Sequence, residues 1–219
     1  MAGTFGIAVR VLLCDLDGVL VDSTAAVARA WQGWAARHGL DTDAVVAYAH
    51  GRRSIEVIQA LTPHLDAAAE TQVLENGHVD APGDTVALPG AQRLLASLPS
   101  GTWAVVTSGP RRLALSRIAA AGLPQPPVLV TAGDVRHGKP HPEPYLRAAE
   151  RLGAAPAEAL VLEDAPAGIT AARAAGMHVI ALATTYPVDR LGEADLVVAR
   201  LDELDVRRDD EGRLVVRRA

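Results

Sequence analysis

The stretch "LLCDLDGVLVDST", residues 12–24, ends an apolar run with two aspartates that are one residue apart. The apolar residues before Asp15 predict a buried strand, and Gly18, directly after Asp17, allows the backbone to turn close to a ligand. Two carboxylates at the end of a buried strand repel each other strongly at low dielectric. Their proximity therefore predicts a cationic partner, and the residues that follow the other strands indicate which partner it is.

The composition is that of an ordinary globular protein. The chain has 219 residues, of which 49% are hydrophobic and 21% charged, so it is long enough for one large domain or for a core with a smaller module. Its formal net charge of -5 disfavours a nucleic-acid binder, because phosphate backbones attract basic surfaces. The single cysteine, Cys14, excludes an intrachain disulfide and fits a reducing compartment.

No segment has the features of a membrane anchor or a secretion signal. The apolar runs fall short of the roughly 18 residues that a spanning helix needs. The segment "MAGTFGIAVR" lacks the charged start and the long apolar stretch of a signal peptide. We therefore expect a cytoplasmic protein that is a monomer or a weak homodimer, without membrane or nucleic-acid partners.

Short apolar runs alternate with helical patterns along most of the chain. The runs are nearly continuous, which is typical of parallel strands buried on both faces. Strand–helix repetition predicts right-handed crossovers and an α/β fold with a Rossmann-like parallel sheet. The C-terminal segment 204–219 predicts either a hairpin that turns at 210–212 or a frayed tail. The predicted strands are "VRVLLC" ending at Cys14, then 103–106, 127–130, 159–162, 178–182 and 195–198, and the predicted helices are 90–98, 110–121, 142–152 and 165–175.

One interval interrupts this alternation. From about Thr24 to Val86 the sequence shows helical patterns and no convincing strand. We therefore predict a core domain formed by 1–22 and 87–219 and an inserted helical domain formed by 23–86. The insertion's predicted features are, in order, a helix at 24–38, a helix capped by Ser54 and ended by Pro63, a helix at 65–77, and a Pro- and Gly-rich linker at 80–90.

Polar side chains follow each of the first four predicted strands of the sheet. Because ligands of open α/β sheets bind at the carboxyl ends of the strands, we expect these side chains to meet at one edge. They are Asp15 and Asp17 after the first strand, Thr107 and Ser108 after the second, Lys139 after the third, and Glu163 and Asp164 after the fourth.

The chemistry of this set indicates a metal ion that faces a phosphate. Three or four carboxylates in one place call for a divalent cation, and a hard oxygen-ligand site suits Mg2+, which also keeps waters and substrate phosphate as ligands. Thr107 and Ser108 offer hydroxyls and backbone N–H groups at a helix N-terminus, which favours an anion. Lys139, the only lysine in the chain, can neutralise a phosphate and a carboxylate together.

Four segments of the chain resemble the four motifs of the haloacid dehalogenase (HAD) superfamily. They are "DLDGVLVDS", "VVTSG", "GKPHPEPY" and "LVLEDAPAGITAARAAGM", in this order and at suitable spacings, so the resemblance extends over nearly the whole chain. The inserted helices resemble the small α-helical cap that this superfamily places between its first and second motifs. Within the superfamily, "DSTAAVARAW" and "AHGRRSIEVI" are most similar to the glycerol-3-phosphate, 2-deoxyglucose-6-phosphate and sugar phosphatase group.

The resemblance implies a role for each matching residue. Asp15 would be the nucleophile that forms an aspartyl-phosphate. Asp17 would be the general acid that protonates the leaving alcohol and then the base that activates water. Thr107 and Lys139 would hold the phosphoryl group. The Mg2+ ligands would be Asp15, the Asp17 backbone carbonyl and Asp164, with Glu163 as a further ligand or a neighbour of the metal.

Sequence differences separate the chemistries of the superfamily. Dehalogenases of the superfamily have an aspartate that matches Asp15 but lack the second aspartate, which this chain has as Asp17. Phosphonate hydrolases use a lysine of the cap, whereas the only lysine of this chain is Lys139. The β-phosphoglucomutase branch shares Asp17 but has a histidine ten residues later, where this chain has Val27. We therefore expect a Mg2+-dependent phosphomonoesterase for a small sugar or polyol phosphate. The alternatives are a hexose phosphate mutase and a non-catalytic phospho-ligand binding protein.

Three residues of the cap are candidates for substrate contact. His50, Arg52 and Arg53 lie in "AHGRRS", which we expect to face the cleft. An arginine there can bind hydroxyls or a phosphate. The alternative is a solvated cap surface, since arginine is common at exposed positions.

Overall fold

The computed structural model describes residues 6–79 and 85–219, and within these residues it contains eleven β-strands and eight α-helices. The strands are β1 Gly6–Val9, β2 Val11–Cys14, β3 Val21–Asp22, β4 Val86–Ala87, β5 Trp103–Val106, β6 Val128–Val130, β7 Ala159–Glu163, β8 His178–Leu182, β9 Leu196–Val198, β10 Leu204–Arg208 and β11 Leu214–Arg218. The helices are α1 Thr24–Arg37, α2 Thr42–Ala49, α3 Ser54–Leu61, α4 Ala67–Val79, α5 Ala91–Ser97, α6 Arg111–Ala120, α7 Glu143–Arg151 and α8 Pro166–Ala174.

A six-stranded parallel sheet forms the centre of the molecule. Its strand order is β6-β5-β2-β7-β8-β9, and each neighbouring pair runs parallel. Strands β2, β5 and β7 are buried along their whole length, which is why their sequences are continuously apolar. One apolar cluster contains Leu12 and Leu162 and a second contains Leu13 and Val161, so both faces of the sheet are covered. The predicted α/β fold with a Rossmann-like sheet is confirmed.

The first apolar run is the element that differs most from its prediction. The chain bends at Arg10, and the run forms two strands in different sheets. Strand β2 joins the parallel sheet, whereas β1 pairs antiparallel with β11. The predicted strand is therefore confirmed over Val11–Cys14, but its first residue, Val9, belongs to β1, which has a different partner.

The C-terminal segment is a hairpin and not a frayed tail. Strand β11 lies between β1 and β10, and all pairs in this three-stranded sheet are antiparallel. The turn is closed by a hydrogen bond from the backbone N–H of Gly212 to the backbone oxygen of Asp209. Of the two predicted alternatives, the hairpin is therefore confirmed.

Helices α1–α4 form the insertion and have an apolar cluster of their own. Trp34 and Ile58 are fully buried in it. Trp34 Nε1 also donates to Glu70 at 2.9 Å, which joins α1 to α4. The prediction that Ser54 caps α3 was wrong: Ser54 is the first helical residue, and Arg53 occupies the N-cap position without a side-chain capping bond.

A short antiparallel pair, β3 and β4, lies where the chain enters and leaves the insertion. The predicted linker at 80–90 falls partly outside the described residues, which end at residue 79 and resume at residue 85. Within the described part of the chain, no helix is long and apolar enough to cross a membrane.

Candidate active site

Asp15 lies directly after β2 and is paired with Lys139. The lysine is buried, and its Nζ donates to Asp15 Oδ1 and to Glu163 Oε1, both at 2.6 Å. A longer contact of 3.3 Å joins Nζ to the backbone oxygen of Val106 at the end of β5. One lysine therefore connects the carboxyl ends of β2, β5 and β7, the edge at which the sequence predicts the site.

The Glu163 carboxylate is fully occupied by protein donors. Its Oε1 accepts from Lys139 Nζ and from the Tyr145 hydroxyl at 2.8 Å, and its Oε2 accepts from the backbone N–H groups of the next two residues, both at 2.9 Å. Gly168 leaves the necessary space, since a Cβ atom there would lie 1.6 Å from Oε1. Tyr145 lies within the motif "GKPHPEPY" but was not among the predicted site residues. Glu163 thus anchors both Lys139 and the turn after β7.

Burial and charge together set the protonation of this cluster. Burial raises the pKa of Asp15 to about 7, and the charge of Lys139 opposes that shift. Burial alone would lower the pKa of Lys139, but the carboxylates of Asp15 and Glu163 outweigh it and raise that pKa. Burial alone would raise the pKa of Glu163, but Lys139 and the hydrogen bonds to the carboxylate lower it. Lys139 is therefore a fixed cation at physiological pH.

Asp164 completes an acidic group that fits a metal ion. Single oxygens of Asp15, Glu163 and Asp164 lie within 4.8 Å of one another. Asp164 Oδ2 is buried and has no hydrogen-bond partner among the described residues. Burial raises the pKa of Asp164 well above its usual value, and the charges of Glu163 and Asp15 raise it further. A divalent cation satisfies the free oxygen and removes the repulsion, so this donor set suits a hard metal ion.

Gly18 keeps the space beside Asp164 open. Its φ of 81° lies in the left-handed region, which glycine adopts without strain. A Cβ atom at this position would lie 1.9 Å from Asp164 Oδ2. The close turn predicted after Asp17 is therefore a steric requirement of the acidic group.

Asp17 lines the cleft, and two donors hold its Oδ1 atom. Arg117 Nη1 donates at 2.6 Å and Ser23 Oγ at 2.5 Å. Arg117 was missed from the sequence, although α6 carries a signal. Its buried face places this arginine among Leu113, Ala114 and Ile118. A buried arginine on an apolar helix face needs an acidic partner, and here that partner is Asp17.

The residues after β5 line the same cleft. Thr107 is buried, and its Oγ1 accepts the backbone N–H of Gly109 at 3.1 Å. Ser108 Oγ donates to the backbone oxygen of Gly51 at 2.9 Å. The Ser108 hydroxyl is thus engaged with the helical insertion, while the loop itself leads into the N-terminus of α6.

The loop between α2 and α3 carries the three predicted cap residues, and the structure separates them. His50 and Arg52 line the cleft. His50 Nε2 lies 3.9 Å from Asp164 Oδ2, and burial lowers the pKa of His50. Arg53 instead donates from Nη1 to the backbone oxygen of Arg136 at 2.8 Å. The structure thus brings His50 and Arg52 to the cleft, whereas Arg53 is bonded to the loop of Arg136.

Comparison with known proteins connects this geometry to a family. A family model described as haloacid dehalogenase-like hydrolase matches residues 9–176, which is most of the chain. The chain belongs to the haloacid dehalogenase-like hydrolase family. The resemblance that the four motifs indicate is therefore confirmed, and the match includes every predicted site residue of this HAD-like hydrolase.

The HAD-like hydrolase is similar to two named phosphatases over almost its whole length. Hexitol phosphatase A of Escherichia coli (strain K12) is 44% identical, over 93% of this chain and 97% of the relative. The 2-deoxyglucose-6-phosphate phosphatase 2 of Saccharomyces cerevisiae (strain ATCC 204508 / S288c) is 35% identical, over 95% of this chain and 94% of the relative. A solved structure of β-phosphoglucomutase (pgmB) from Clostridium difficile has a TM-score of 0.79 at 22% identity, over 90% of this chain and 93% of that one. This last likeness concerns the fold.

Proposed function

We propose that the protein is a Mg2+-dependent phosphomonoesterase that hydrolyses a small sugar or polyol phosphate through an aspartyl-phosphate on Asp15. The observation that carries the proposal is the position of Asp15, bonded to the buried Lys139 and next to the free oxygen of Asp164. The names of the two phosphatase relatives, one for a hexitol and one for 2-deoxyglucose 6-phosphate, support this substrate class.

Asp15 is the nucleophile of the first step. A carboxylate oxygen attacks the phosphorus atom of the substrate, and the bond between phosphorus and the ester oxygen breaks. The Lys139 ammonium favours the ionised form of Asp15 and offsets the charge of the phosphoryl oxygens. The product of this step is an aspartyl-phosphate and the alkoxide of the leaving alcohol.

Asp17 transfers the protons in both steps. Its carboxyl group gives a proton to the leaving alkoxide, which departs as an alcohol. The resulting carboxylate takes a proton from water as that water attacks the phosphorus atom of the aspartyl-phosphate. Inorganic phosphate leaves, and the Asp15 carboxylate is restored. Arg117 and Ser23 orient Asp17 through its Oδ1 atom.

Within the acidic group, Asp164 and Glu163 have different roles. Mg2+, when bound, supplies positive charge that offsets both the carboxylates and the phosphoryl oxygens. The residues that would hold it are Asp15, the backbone carbonyl of Asp17, and Asp164 with its unpartnered oxygen. Both oxygens of Glu163 already accept two hydrogen bonds each, so Glu163 positions Lys139 instead of binding the metal.

The phosphate of the substrate is bound at the ends of the strands. Thr107 contributes its hydroxyl, and Ser108 contributes its backbone N–H at the loop that leads into α6. Lys139 adds a positive charge. The turn at Gly18 brings backbone close to the same position, because no side chain intervenes.

Residues 23–86 act as a cap domain over a core formed by 1–22 and 87–219. Closure of the cap excludes water while Asp15 attacks, and opening releases the products. The apolar cap side chains face the carbon skeleton of the substrate, and the polar ones face its hydroxyls. The cap residues that line the cleft include Val27, Trp31, His50 and Arg52.

Phosphate release from a substrate panel tests this function. The panel contains hexitol, glycerol, pentose and hexose phosphates, 2-deoxyglucose 6-phosphate, phosphoglycolate and nucleoside monophosphates, each assayed with Mg2+ and with EDTA. We expect Mg2+-dependent release from one or two hexitol or hexose phosphates. Isomer formed from a sugar 1-phosphate and a bisphosphate activator, without free phosphate, would instead indicate a mutase. Saturable binding without turnover of any member would indicate a binding protein.

A further inference from the structure

The N-terminus of α3 contacts the core loop that carries Lys139. Arg53 Nη1 donates to the backbone oxygen of Arg136 at 2.8 Å, and Glu56 Oε1 accepts the backbone N–H of Gly138 at 2.9 Å. Arg53 and Glu56 are also paired with each other at 3.3 Å. We term these contacts between Arg53, Glu56, Arg136 and Gly138 the latch, because they join the cap to one loop of the core.

Gly138 provides the space that the latch occupies. A Cβ atom at Gly138 would lie 2.4 Å from Arg53 Cδ and 2.9 Å from Glu56 Oε2. The Arg53 side chain therefore packs directly on the backbone of the loop. At Gly133, near the start of the same connection, a Cβ atom would have nothing within 4 Å. Of these two glycines, only the one beside Lys139 is therefore crowded.

Three other backbone N–H groups of this loop are bonded within the loop and its following helix. Those of Arg136 and His137 donate to Glu143, both at 2.9 Å, and that of His141 donates to the backbone oxygen of Gly138 at 2.9 Å. The N–H of Gly138 reaches the cap instead. The loop is therefore a preformed unit, and the latch fixes where that unit sits relative to α3.

Displacement of the loop would move the active-site lysine. Lys139 follows Gly138 directly, and its Nζ joins Asp15 to Glu163. A misplacement of about 1 Å in a positioned group can cost about a hundredfold in rate. We propose that Arg53 and Glu56 are positioning residues that fix Lys139 when the cap is closed, so that the reactive arrangement is complete only under a closed cap. This inference rests on the proposed function. In it, Arg53 acts by positioning Lys139 and does not contact the substrate.

Two hydrogen bonds join α2 and the loop after it to the core, but they end on other core loops. Ser108 Oγ donates to the backbone oxygen of Gly51 at 2.9 Å, and the Tyr186 hydroxyl donates to that of Ala47 at 3.1 Å. They hold the cap without contacting the loop of Lys139. Loss of the latch should therefore change turnover more than substrate binding.

The variant Glu56→Ala tests the latch, because it removes the acceptor of the Gly138 N–H. Hydrogen–deuterium exchange of residues 136–142, resolved to single amides, should show loss of protection at Gly138 while Arg136 and His137 keep theirs. On the best substrate of the panel, we expect kcat to fall about tenfold, with a smaller change in KM. Glu56→Gln keeps an acceptor oxygen and should restore part of both effects.

The matched control is Glu150→Ala, which breaks the Arg147–Glu150 pair of the same spacing on the surface of α7. It should leave both readouts unchanged.

A second pair of variants, Gly138→Ala and Gly133→Ala, compares a crowded position with an open one, and only the first should lower kcat. Wild-type exchange at Gly138 in Glu56→Ala would overturn the proposal, as would faster exchange with unchanged kcat. The exchange is measured on the resting protein, so it tests the latch even if no panel member is hydrolysed.

Discussion

The negative charges of two buried active-site carboxylates are offset by one buried lysine. Lys139 lies between Asp15 and Glu163, and Tyr145 adds a further donor to Glu163. Removing one member of such a buried set leaves an uncompensated charge, which costs far more than an exposed ion pair contributes. Lys139 therefore affects folding as well as chemistry.

Replacement of Lys139 by methionine should lower both turnover and stability. We expect phosphate release to fall about a thousandfold, because the cation that faces Asp15 and the phosphoryl group is lost. We expect the free energy of unfolding to fall by about 3 kcal/mol, since two buried carboxylates then lack their cation. Denaturant unfolding measures the second effect, and Arg147→Met, at an exposed arginine of α7, is the control. Wild-type turnover in the folded Lys139→Met variant would refute this role.

At the scale of elements, one carboxylate ties two helices to the turn after β6. Asp134 accepts from the backbone N–H and the hydroxyl of Thr131, at 2.9 and 2.7 Å. It also pairs with Arg111 of α6 and with Arg151 of α7. Partial burial alone would raise the pKa of Asp134, but the hydrogen bonds from Thr131 and Arg151 outweigh it and lower the pKa to about 2.

The contribution of Asp134 to stability should disappear in acid. Its ordinary pKa is 3.8, so between that value and about 2 the folded protein keeps the carboxylate ionised while the unfolded chain protonates it. The stabilisation by the Asp134 carboxylate is therefore complete well above pH 3.8, and it is lost as the pH falls toward about 2. We expect Asp134→Asn to lower the free energy of unfolding at neutral pH by about 1–2 kcal/mol. Urea unfolding of both proteins in neutral and acidic buffer measures this, and a difference that does not shrink in acid would argue against it.

The helices of the core were predictable because their signals are local, whereas α2 of the insertion was not predicted. Helices α5–α8 each begin and end one residue inside the predicted ranges. The break at Arg10 was not predictable, because the partner of β1 is β11, at the other end of the chain. The sequence predicts Ser54 as the cap because serine favours that position. Arg53 occupies the N-cap instead, and its side chain is bonded to the core.

At the scale of the whole molecule, the site could be predicted in outline. Parallel strands place their carboxyl ends on one edge, and the structure brings Asp15, Lys139 and Asp164 together there as expected. The contacts of the cap could not be predicted in this way. The bond between Glu56 and Gly138 joins residues that are 82 positions apart and depends on how the cap sits on the core.

The C-terminal hairpin is part of the main core although it lies beyond the family match, which ends at residue 176. Leu204, Leu214 and Val216 are buried in the apolar cluster that also contains Leu12. Full burial of one such side chain contributes about 1.5–3 kcal/mol relative to exposure. The hairpin therefore supplies a sizeable share of the marginal stability of the domain.

A chain that ends after Glu203 should be much less stable than the whole protein. We expect a loss of about 5 kcal/mol in the free energy of unfolding, because β1 loses its partner and three core side chains are removed. Thermal unfolding followed by circular dichroism measures the effect. Arg207→Ala, at an exposed position of β10, should leave Tm unchanged. A truncated chain with the Tm of the whole protein would show that the hairpin is dispensable.

The most direct test of the central claim is the rate of phosphate release by Asp15→Asn, compared with wild type on the best panel substrate at saturating Mg2+. The amide keeps the shape of the side chain but is a poor nucleophile toward phosphorus. If Asp15 accepts the phosphoryl group, release should fall by about ten-thousandfold or more. Release within about tenfold of wild type, by a folded and metal-saturated variant, would contradict the aspartyl-phosphate mechanism.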